Sequence, residues 1–502
     1  MTRIAIAWFR RDLRIHDHPA LHAAVADADV VIPLFVFDEG LLAGRWPAPN
    51  RVWFMRESVV ELSAALAGRG AGLRVLRGRP ADVVPAFARE VGATDLYLTR
   101  DATPYGRRRD RAVAEALEPS GVAVHAIRGL YVHEPDEVAT GDGRPFAVYG
   151  GFKRAWDARP HRTVLPPPDR VPGLPGVPPR PDPVPEVGPP TADRALVPVP
   201  GESAARERLA RWVDGPVGDY AGTRNRLDLE GSSRLSQDLR FGLLSPVEVV
   251  DRVSGDGEGR RVFTSEVAWR EFYAHVLWHH PRVVGEPFQR AFAALSVRDD
   301  PGDFAAWAAG LTGYPVVDAA MRQLRASGYV HNRARMIAAS FLAKHLLLDY
   351  RLGEAEFMRH LTDGDLASNN GGWQWTAGTG TDPQPWFRVF NPILQGERFD
   401  PDGAYVRRWV PELRGVPAGS VHQPWTMGPE AQAAAGCRIG VDYPAPIVDH
   451  PAARARALAA YGEARSAARN DRPDDAPPAD PPPSEDPADP GVSPRRSAGE
   501  TR

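Results

Sequence analysis

Cysteine is nearly absent from this chain, in which Cys437 is the only one among 502 residues. A single cysteine excludes an intrachain disulfide and a metal site built from several thiolates. Apolar runs of membrane-spanning length are missing too, and the first residues lack the organisation of a signal peptide. The sequence therefore predicts a protein of the reducing cytoplasm, with no membrane partner and no metal.

Lysine is scarce as well: Lys153 and Lys344 are the only two, and arginine supplies the other basic side chains. Arginine suits bidentate contacts to phosphate. The whole chain carries a net charge of only −3, and residues 471–502 hold eight acidic against four basic side chains. The remaining chain is close to neutral, so nucleic-acid binding would need a local basic patch.

A glycine-rich dinucleotide fingerprint is missing from the N-terminal part, where Arg10-Arg11-Asp12-Leu13-Arg14 follows the first apolar run instead. Continuous apolar runs indicate strands buried on both faces, as in a parallel sheet. Their alternation with amphipathic segments predicts a doubly wound α/β domain over residues 1–130. The apolar runs lie at 4–9, 30–37, 73–76, 95–99 and 122–127, and the amphipathic segments at 52–67, 80–91 and 106–117.

Residues 131–202 are predicted to be a linker between two domains. Fifteen prolines lie between residues 160 and 200, and proline has no N–H for a helix or a central strand. A segment of this composition forms a semi-rigid, extended tether. We expect it to wrap a surface, because it joins two well-patterned halves.

Helical periodicity continues from residue 203 to about residue 466, so the second domain is predicted to be all-helical. Its start signals include the capping box Ser245-Pro246-Val247-Glu248. We predict one helix over residues 266 to about 279 and another over residues 331 to about 348. Residues 467–502 are rich in proline and acidic residues and are predicted to be a disordered tail.

The stretch from Asp363 to Trp375 combines carboxylates, amides, glycines and tryptophans, a mixture that suits neither an ordinary helix nor a strand. Gly371 and Gly372 allow unusual dihedrals or close backbone approach, and Trp373 points away from Trp375. Buried Asp and Asn are rarely unpaired. The stretch is therefore either the wall of a ligand site or a buried polar turn that caps a helical core.

Two further segments also have both a functional and a structural interpretation. Gly231–Ser236 places hydroxyls and backbone N–H groups ahead of a helix, which is either an anion site or a simple N-cap. Glu266, Trp269 and Tyr273 fall at i, i+3 and i+7 on one helix face. A carboxylate beside an indole is unusual in a core, although a helix rim with aromatic packing explains it as well.

The segment His331–Met336 is the last of these candidates. Asn332 and Met336 share a helix face, while Arg333 and Arg335 point apart. One arginine can therefore bind a phosphate while the other pairs with a group inside the protein. The structural alternative is a solvated basic helix end.

Together these segments resemble those of the photolyase/cryptochrome family, and most closely the class I cyclobutane pyrimidine dimer photolyases. Thr312–Gln323 and Phe390–Pro392 add to a resemblance that runs from about residue 3 to 465. The resemblance implies an α/β antenna domain, a helical FAD-binding domain and light-driven splitting of pyrimidine dimers in DNA by electron transfer from excited reduced FAD. Cryptochrome-like blue-light signalling without repair is the main alternative, and an α/β nucleotide-binding sensor is a weaker one.

The resemblance also assigns roles to residues. It places FAD against Tyr220, Ser232, Ser233, Arg234, Leu235, Ser236, Phe263, Arg335, Asp363, Gly364, Asp365 and Asn369. It forms the catalytic lesion pocket from Glu266, Trp269, Asn332, Met336, Asn369 and Trp375. It assigns DNA contacts to Arg224, Glu266, Trp269, Arg270, Tyr273, Asn332, Arg333 and Gln395. Asn369 stands where plant cryptochromes carry Asp, and the histidine pair of (6-4) enzymes is missing, so the resemblance favours dimer repair.

Antenna and electron-transfer residues follow from the same resemblance. An 8-hydroxy-5-deazaflavin antenna is implied at Val36, Asp38, Arg51, Asp101, Tyr105, Gly106 and Arg109, with methenyltetrahydrofolate or no antenna as alternatives. Trp373 and Trp307 match the inner and outer members of a photoreduction chain whose middle member is Tyr350. A neutral phenol is harder to oxidise than an indole, so we predict slow photoreduction of oxidised FAD. The chain is predicted to act as a monomer.

Overall fold

The computed structural model of the chain describes residues 2–46, 48–174, 179–382 and 385–471. Most of the predicted tail, from residue 472 onward, therefore lies outside the described residues. Residues 467–471 belong to the last helix, which extends past the predicted boundary at residue 466. No helix in the described ranges is long and apolar enough to cross a membrane.

A parallel sheet forms the N-terminal domain, with strands β1 Ile4–Phe9, β2 Val30–Asp38, β3 Arg74–Gly78, β4 Asp95–Thr99 and β5 Ala123–Ile127. Their order is β3-β2-β1-β4-β5, so the chain builds outward first on one side of β1 and then on the other. The central strands are buried on both faces, while β3 and β5 at the edges are more exposed. The doubly wound sheet predicted from the continuous apolar runs is confirmed.

Helices cover both faces of this sheet: α1 Pro19–Asp27, α2 Glu39–Leu42, α3 Pro49–Ala67, α4 Pro80–Val91 and α5 Pro104–Leu117. The helices α3 and α5 begin slightly earlier than predicted, because a proline occupies the first helical position of each. The helix α1 was not predicted. Its N-cap is His18, whose ring nitrogen accepts the Leu21 N–H at 3.0 Å, and histidine is not among the usual capping residues.

The predicted linker wraps the molecule and contains a helix, α6 Tyr149–Ala158. Its proline-rich part runs along the N-terminal domain, where the Val31 N–H donates to the Pro172 carbonyl and the Val171 N–H donates to the Arg69 carbonyl. Proline lacks a donor but keeps its carbonyl acceptor. The tether is therefore attached to the sheet domain by backbone hydrogen bonds.

The C-terminal domain is helical, as predicted. Its helices are α7 Glu202–Val213, α8 Tyr220–Thr223, α9 Ser236–Phe241, α10 Pro246–Val253, α11 Glu258–His279, α12 Pro301–Ala309, α13 Pro315–Ser327, α14 Asn332–Ser340, α15 Tyr350–His360, α16 Leu366–Ala377, α17 Pro392–Phe399, α18 Ala404–Trp409, α19 Pro429–Ala434 and α20 His450–Asp471. α11, α14 and α16 surround the candidate site described below.

Two local predictions in this domain are wrong. The predicted helix over 331–348 is interrupted, because α14 ends at Ser340 and a single π-helical turn, Phe341–His345, follows it. Ser245 precedes α10 but makes no capping hydrogen bond with its side chain. Glu248 pairs instead with Arg206 at 2.5 Å, so the predicted capping box does not form.

The polar stretch at 363–375 is mostly helix, which corrects the prediction that such a mixture suits no ordinary helix. Asp365 caps α16 by accepting a backbone N–H of its first turn at 3.1 Å. Asn370 and Gln374 each donate an amide N–H to the Val283 carbonyl at 3.0 Å. These tertiary hydrogen bonds stabilise a helix that the intrinsic propensities of Asn and Gly disfavour.

The arginine-rich segment after β1 joins the two domains. Arg11 pairs with Asp365 at 2.6 Å, and Arg14 donates to the Gly242 carbonyl at 3.0 Å. Gly242 has a φ of +63°, and a Cβ at this position would overlap the backbone of Arg11. The segment that stands in place of a dinucleotide fingerprint is therefore a contact between domains.

Candidate functional site

A cavity of about 530 Å³ opens among α8, α9, α11, α14 and α16. This volume lies in the range of cofactor pockets. Every residue predicted to hold FAD lines it: Tyr220, Ser232, Ser233, Arg234, Leu235, Ser236, Phe263, Arg335, Asp363, Gly364, Asp365 and Asn369. Residues from segments more than a hundred positions apart thus meet in one place.

One end of the cavity carries hydroxyls and a stacked arginine. The Ser232 hydroxyl lies 3.2 Å from the Tyr329 hydroxyl, and the Arg234 guanidinium lies over the Tyr329 ring at 3.9 Å. Arg234 has a φ of +53°, and its Nε atom is buried without a hydrogen-bond partner among the described residues. Hydroxyls and a guanidinium with an unused donor suit a phosphate group. Tyr329 was not predicted to belong to this site.

The Arg335–Asp363 pair forms the next part of the wall, as predicted. The guanidinium contacts the carboxylate at 2.7 Å and also donates to the Val330 carbonyl at 2.7 Å. The second oxygen of Asp363, Oδ1, is buried without a hydrogen-bond partner among the described residues. A buried unpaired acceptor is costly, so this oxygen fits a ligand that carries an N–H or O–H donor, as FAD does.

Asn369 is oriented by the backbone of a neighbouring helix. Its amide nitrogen donates to the Glu354 carbonyl of α15 at 3.1 Å. The amide oxygen remains for the cavity that Asn369 lines, where it is an acceptor for a ligand N–H.

Asp365 is held as an anion by residues that were not predicted to belong to the site. Burial alone would raise the pKa of Asp365, but the guanidinium groups of Arg11 and Arg240 hold it well below its usual range. Arg240 also donates to the Gly364 carbonyl at 2.8 Å. The arginine cluster after β1 was the sequence signal for Arg11, whereas no local pattern marks Arg240.

The predicted lesion residues line the same cavity: Glu266, Trp269, Asn332, Met336, Asn369 and Trp375. Glu266 pairs with Arg224 at 2.8 Å, and burial raises the pKa of Glu266 against the opposing effect of Arg224. The amide nitrogen of Asn332 lies 3.8 Å from the Met336 sulfur. A carboxylate, an amide and two indoles therefore share one chamber with the predicted cofactor residues.

The predicted DNA contacts differ in burial and in their partners. Arg333 lines the cavity, is only 4% exposed and donates to the Asn225 side chain at 2.8 Å. Arg270 lines the cavity but donates to the Leu130 carbonyl, at the end of the predicted α/β domain. Gln395 is buried in α17 and does not line the cavity. Arg224 and Tyr273 do line it.

Several of the predicted antenna residues contact one another. Tyr105 donates to Asp38 at 2.8 Å, and Asp101 lies 3.6 Å from Arg109. Val36 is buried in β2, and a Cβ at Gly106 would overlap Asp101. Arg51 donates to the Leu361 carbonyl at 3.0 Å and fills the space beside Gly364. Its contacts therefore stabilise the cavity wall.

Two of the predicted electron-transfer residues are in contact with each other. Trp307 contacts Trp373 directly, with ring centroids 6.0 Å apart and planes at 74°. Trp307 is 0% exposed and donates to the Ala338 carbonyl at 3.0 Å, so it is not a surface member. Burial and the nearby Glu354 carboxylate raise the pKa of Tyr350 far above its ordinary value, and the hydroxyl has no partner among the described residues.

Photoreduction of oxidised FAD tests the role of the contact between Trp307 and Trp373. We expect Trp307→Phe to lower the yield of photoreduced FAD several-fold, because it removes the indole in contact with Trp373. Tyr350→Phe should change the yield little, since the phenol has no hydrogen-bonded base to take its proton. Transient absorption with an external reductant measures both, on samples of equal FAD content. An unchanged yield in Trp307→Phe would show that the electron takes another route.

Comparisons with known proteins agree with this geometry. The family model of DNA photolyase matches residues 5–172, and the FAD binding domain of DNA photolyase matches residues 263–463. The deoxyribodipyrimidine photo-lyase of Streptomyces griseus is 40% identical over 475 residues, which cover 91% of this chain and 99% of that protein.

Two solved structures extend the similarity to three dimensions. A bacterial class III photolyase from Agrobacterium tumefaciens has a TM-score of 0.88 at 38% identity, covering 93% of this chain and 98% of its own. A cryptochrome from Synechocystis has a TM-score of 0.83 at 28% identity, covering 91% and 99%. Two family models, a full-length relative and the shared fold lead to one conclusion: the chain belongs to the DNA photolyase family.

Proposed function

We propose that this protein repairs DNA by splitting cyclobutane pyrimidine dimers in light. The observation that carries the proposal is a single cavity lined by both the predicted FAD residues and the predicted lesion residues. A light-driven repair enzyme needs donor and substrate in one water-poor chamber. The relatives named deoxyribodipyrimidine photo-lyase support the same activity.

The chain's own residues hold and orient the cofactor. When bound, reduced FAD supplies one-electron donation on absorbing light, with the electron returned after the dimer has split. Asp363 would accept a hydrogen bond from the cofactor, and Asn369 would present its amide oxygen to it. Arg234 and the nearby serine hydroxyls would bind its phosphate.

The lesion chamber recognises two fused pyrimidines by shape and by hydrogen bonds. Glu266 and Asn332 supply polar contacts to the bases, while Trp269 and Trp375 supply aromatic walls. Met336 adapts to the irregular apolar space between them. Photolyases are among the enzymes that flip their target out of the duplex, and a dimer costs less to unpair than intact bases. The preference for dimers over intact bases therefore comes partly from the lower cost of unpairing a dimer.

Blue-light repair of dimer-containing DNA by the reduced, FAD-loaded protein is the direct test. We expect repair, and we expect Glu266→Ala to weaken binding of damaged DNA by about 5- to 150-fold, as loss of a buried hydrogen-bonding partner costs about 1–3 kcal/mol. The same change releases Arg224, so binding of undamaged DNA should not weaken. A protein that binds dimers in this assay yet never splits them would overturn the proposal.

A cryptochrome-like photoreceptor is the second candidate, favoured by the similarity to the Synechocystis cryptochrome structure. The intact set of Glu266, Trp269, Asn332 and Met336 around one cavity favours repair instead. The repair assay separates the two, because a receptor without repair would leave dimers intact under light.

An antenna pigment is a further part of the proposal. The Tyr105–Asp38 and Asp101–Arg109 contacts lie at the carboxyl ends of β2 and β4, next to the strand where the sheet order reverses. Ligands of doubly wound sheets bind at that edge. We favour 8-hydroxy-5-deazaflavin over methenyltetrahydrofolate or no antenna, acting in a cytoplasmic monomer. An absorption band beyond that of FAD, in protein from a deazaflavin-producing host, tests the choice.

A further inference from the structure

The linker helix covers one wall of the lesion chamber. Tyr149, the first residue of α6, lies flat against Trp269 of α11, with ring centroids 3.7 Å apart and planes 11° apart. One face of the indole is thus covered by the phenol ring. Trp269 also lines the cavity, so a bound lesion would contact the part of the indole that Tyr149 leaves uncovered.

Tyr149 is held from two sides. Its hydroxyl donates to the Ser265 carbonyl of α11 at 2.8 Å. Its backbone N–H donates to the carboxylate of Asp382, in the turn after α16, at 2.9 Å. The residue therefore bridges the helix that carries Trp269 and the region that follows Trp375.

The other aromatic neighbours of Trp269 do not cover its face. Phe272 and Tyr273, both on α11, contact the indole with ring centroids 5.6 and 5.5 Å away and with planes at 78° and 40°. Stacking by Tyr149 resists rotation of the indole, because the ring would have to push the phenol aside in a close-packed region.

We propose that Tyr149 is a positioning residue that holds Trp269 in the plane required by two fused pyrimidines. It thereby sets the preference of the chamber for dimer-containing over undamaged DNA. Undamaged DNA is bound through phosphates, which carry no information about the lesion, so only binding of damaged DNA depends on the indole. This inference rests on the proposed repair function.

The test uses the FAD-loaded full chain and three variants. Tyr149→Leu removes the stacked ring, whereas Tyr149→Phe keeps the ring and loses the hydroxyl. Phe146→Leu is the matched control: it removes a ring of the same segment that packs on Phe152 and His275 instead of Trp269. The measurements are dissociation constants for one duplex with and without a single dimer, together with the FAD content of each variant.

We expect Tyr149→Leu to weaken binding of the dimer duplex by about 2- to 12-fold, the range of one aromatic pair. The affinity for the undamaged duplex and the FAD content should not change. Tyr149→Phe, which keeps the ring, should bind the dimer duplex as tightly as the wild type. If Tyr149→Leu preferred the dimer duplex over the undamaged duplex as strongly as the wild type does, the inference would be overturned. Equal weakening of both duplexes, loss of FAD, or the same defect in Phe146→Leu would also overturn it, by showing a merely structural role. Failure of the wild type to prefer dimers would count against the proposed function instead.

Discussion

Replacing Asp363 with alanine should give a folded protein that binds FAD more weakly than the wild type. Asp363 contacts Arg335 at 2.7 Å, and its second carboxylate oxygen is buried without a partner among the described residues. The substitution removes that acceptor and leaves a guanidinium in the cavity wall without its anion. A hydrogen bond to a charged group contributes about 1.5–3 kcal/mol, so we expect FAD to bind about 10- to 150-fold more weakly. Titration of the apoprotein with FAD measures the change.

Asp442→Ala is the matched control for this experiment. Asp442 also pairs with an arginine, Arg438, at 2.9 Å, but both side chains are largely exposed. Exposed ion pairs contribute little to stability, so this variant should keep its full FAD content. Equal FAD affinity in Asp363→Ala and the wild type would show that the cofactor does not contact this carboxylate.

Gly371→Ala should lower the free energy of unfolding, although alanine is the better helix former. A Cβ at Gly371 would overlap the ring of Tyr273, which brings α16 and α11 into close contact. Overpacking of this kind costs about 1–3 kcal/mol, which exceeds the gain of about 1 kcal/mol from helix propensity. The displaced Tyr273 also packs on Trp269, so binding of dimer-containing DNA should weaken as well.

Gly462→Ala is the matched control for Gly371→Ala. Gly462 lies inside α20, and nothing surrounds the position that its Cβ would take. This variant should be as stable as the wild type or more stable by up to about 1 kcal/mol. Denaturant unfolding of both variants measures the difference. If Gly371→Ala were as stable as Gly462→Ala, the two helices would not approach as closely as the structure indicates.

The sheet domain was predictable because its strands are continuous apolar runs. Burial on both faces demands such runs, and the strand Asp95–Thr99 was predicted to the residue. The helix α16 was not predictable from propensity, since Asn and Gly disfavour it. Its stability comes from hydrogen bonds between Asn370 and Gln374 and the distant Val283 carbonyl, which no local pattern reveals.

The residues of the candidate site were also predictable only in part. The predicted cofactor and lesion residues meet in one cavity because they lie in recognisable segments. Tyr149, Tyr329 and Arg240 were missed, because each reaches the site from a segment whose own composition is ordinary. The family resemblance assigned Arg333 to DNA, but no local pattern reveals that its guanidinium lies over the Phe399 ring at 4.4 Å.

The contact between Arg11 and Asp365 means that the repair chamber is not a detachable module. A fragment beginning at residue 203 would keep α16 but lose the guanidinium that pairs with Asp365, and it would expose the part of the cavity wall that the N-terminal domain covers. Cutting at the proline-rich tether would therefore not yield a minimal catalyst. Exchange of the N-terminal domain for another one would have to retain an arginine at this place, or be combined with Asp365→Asn.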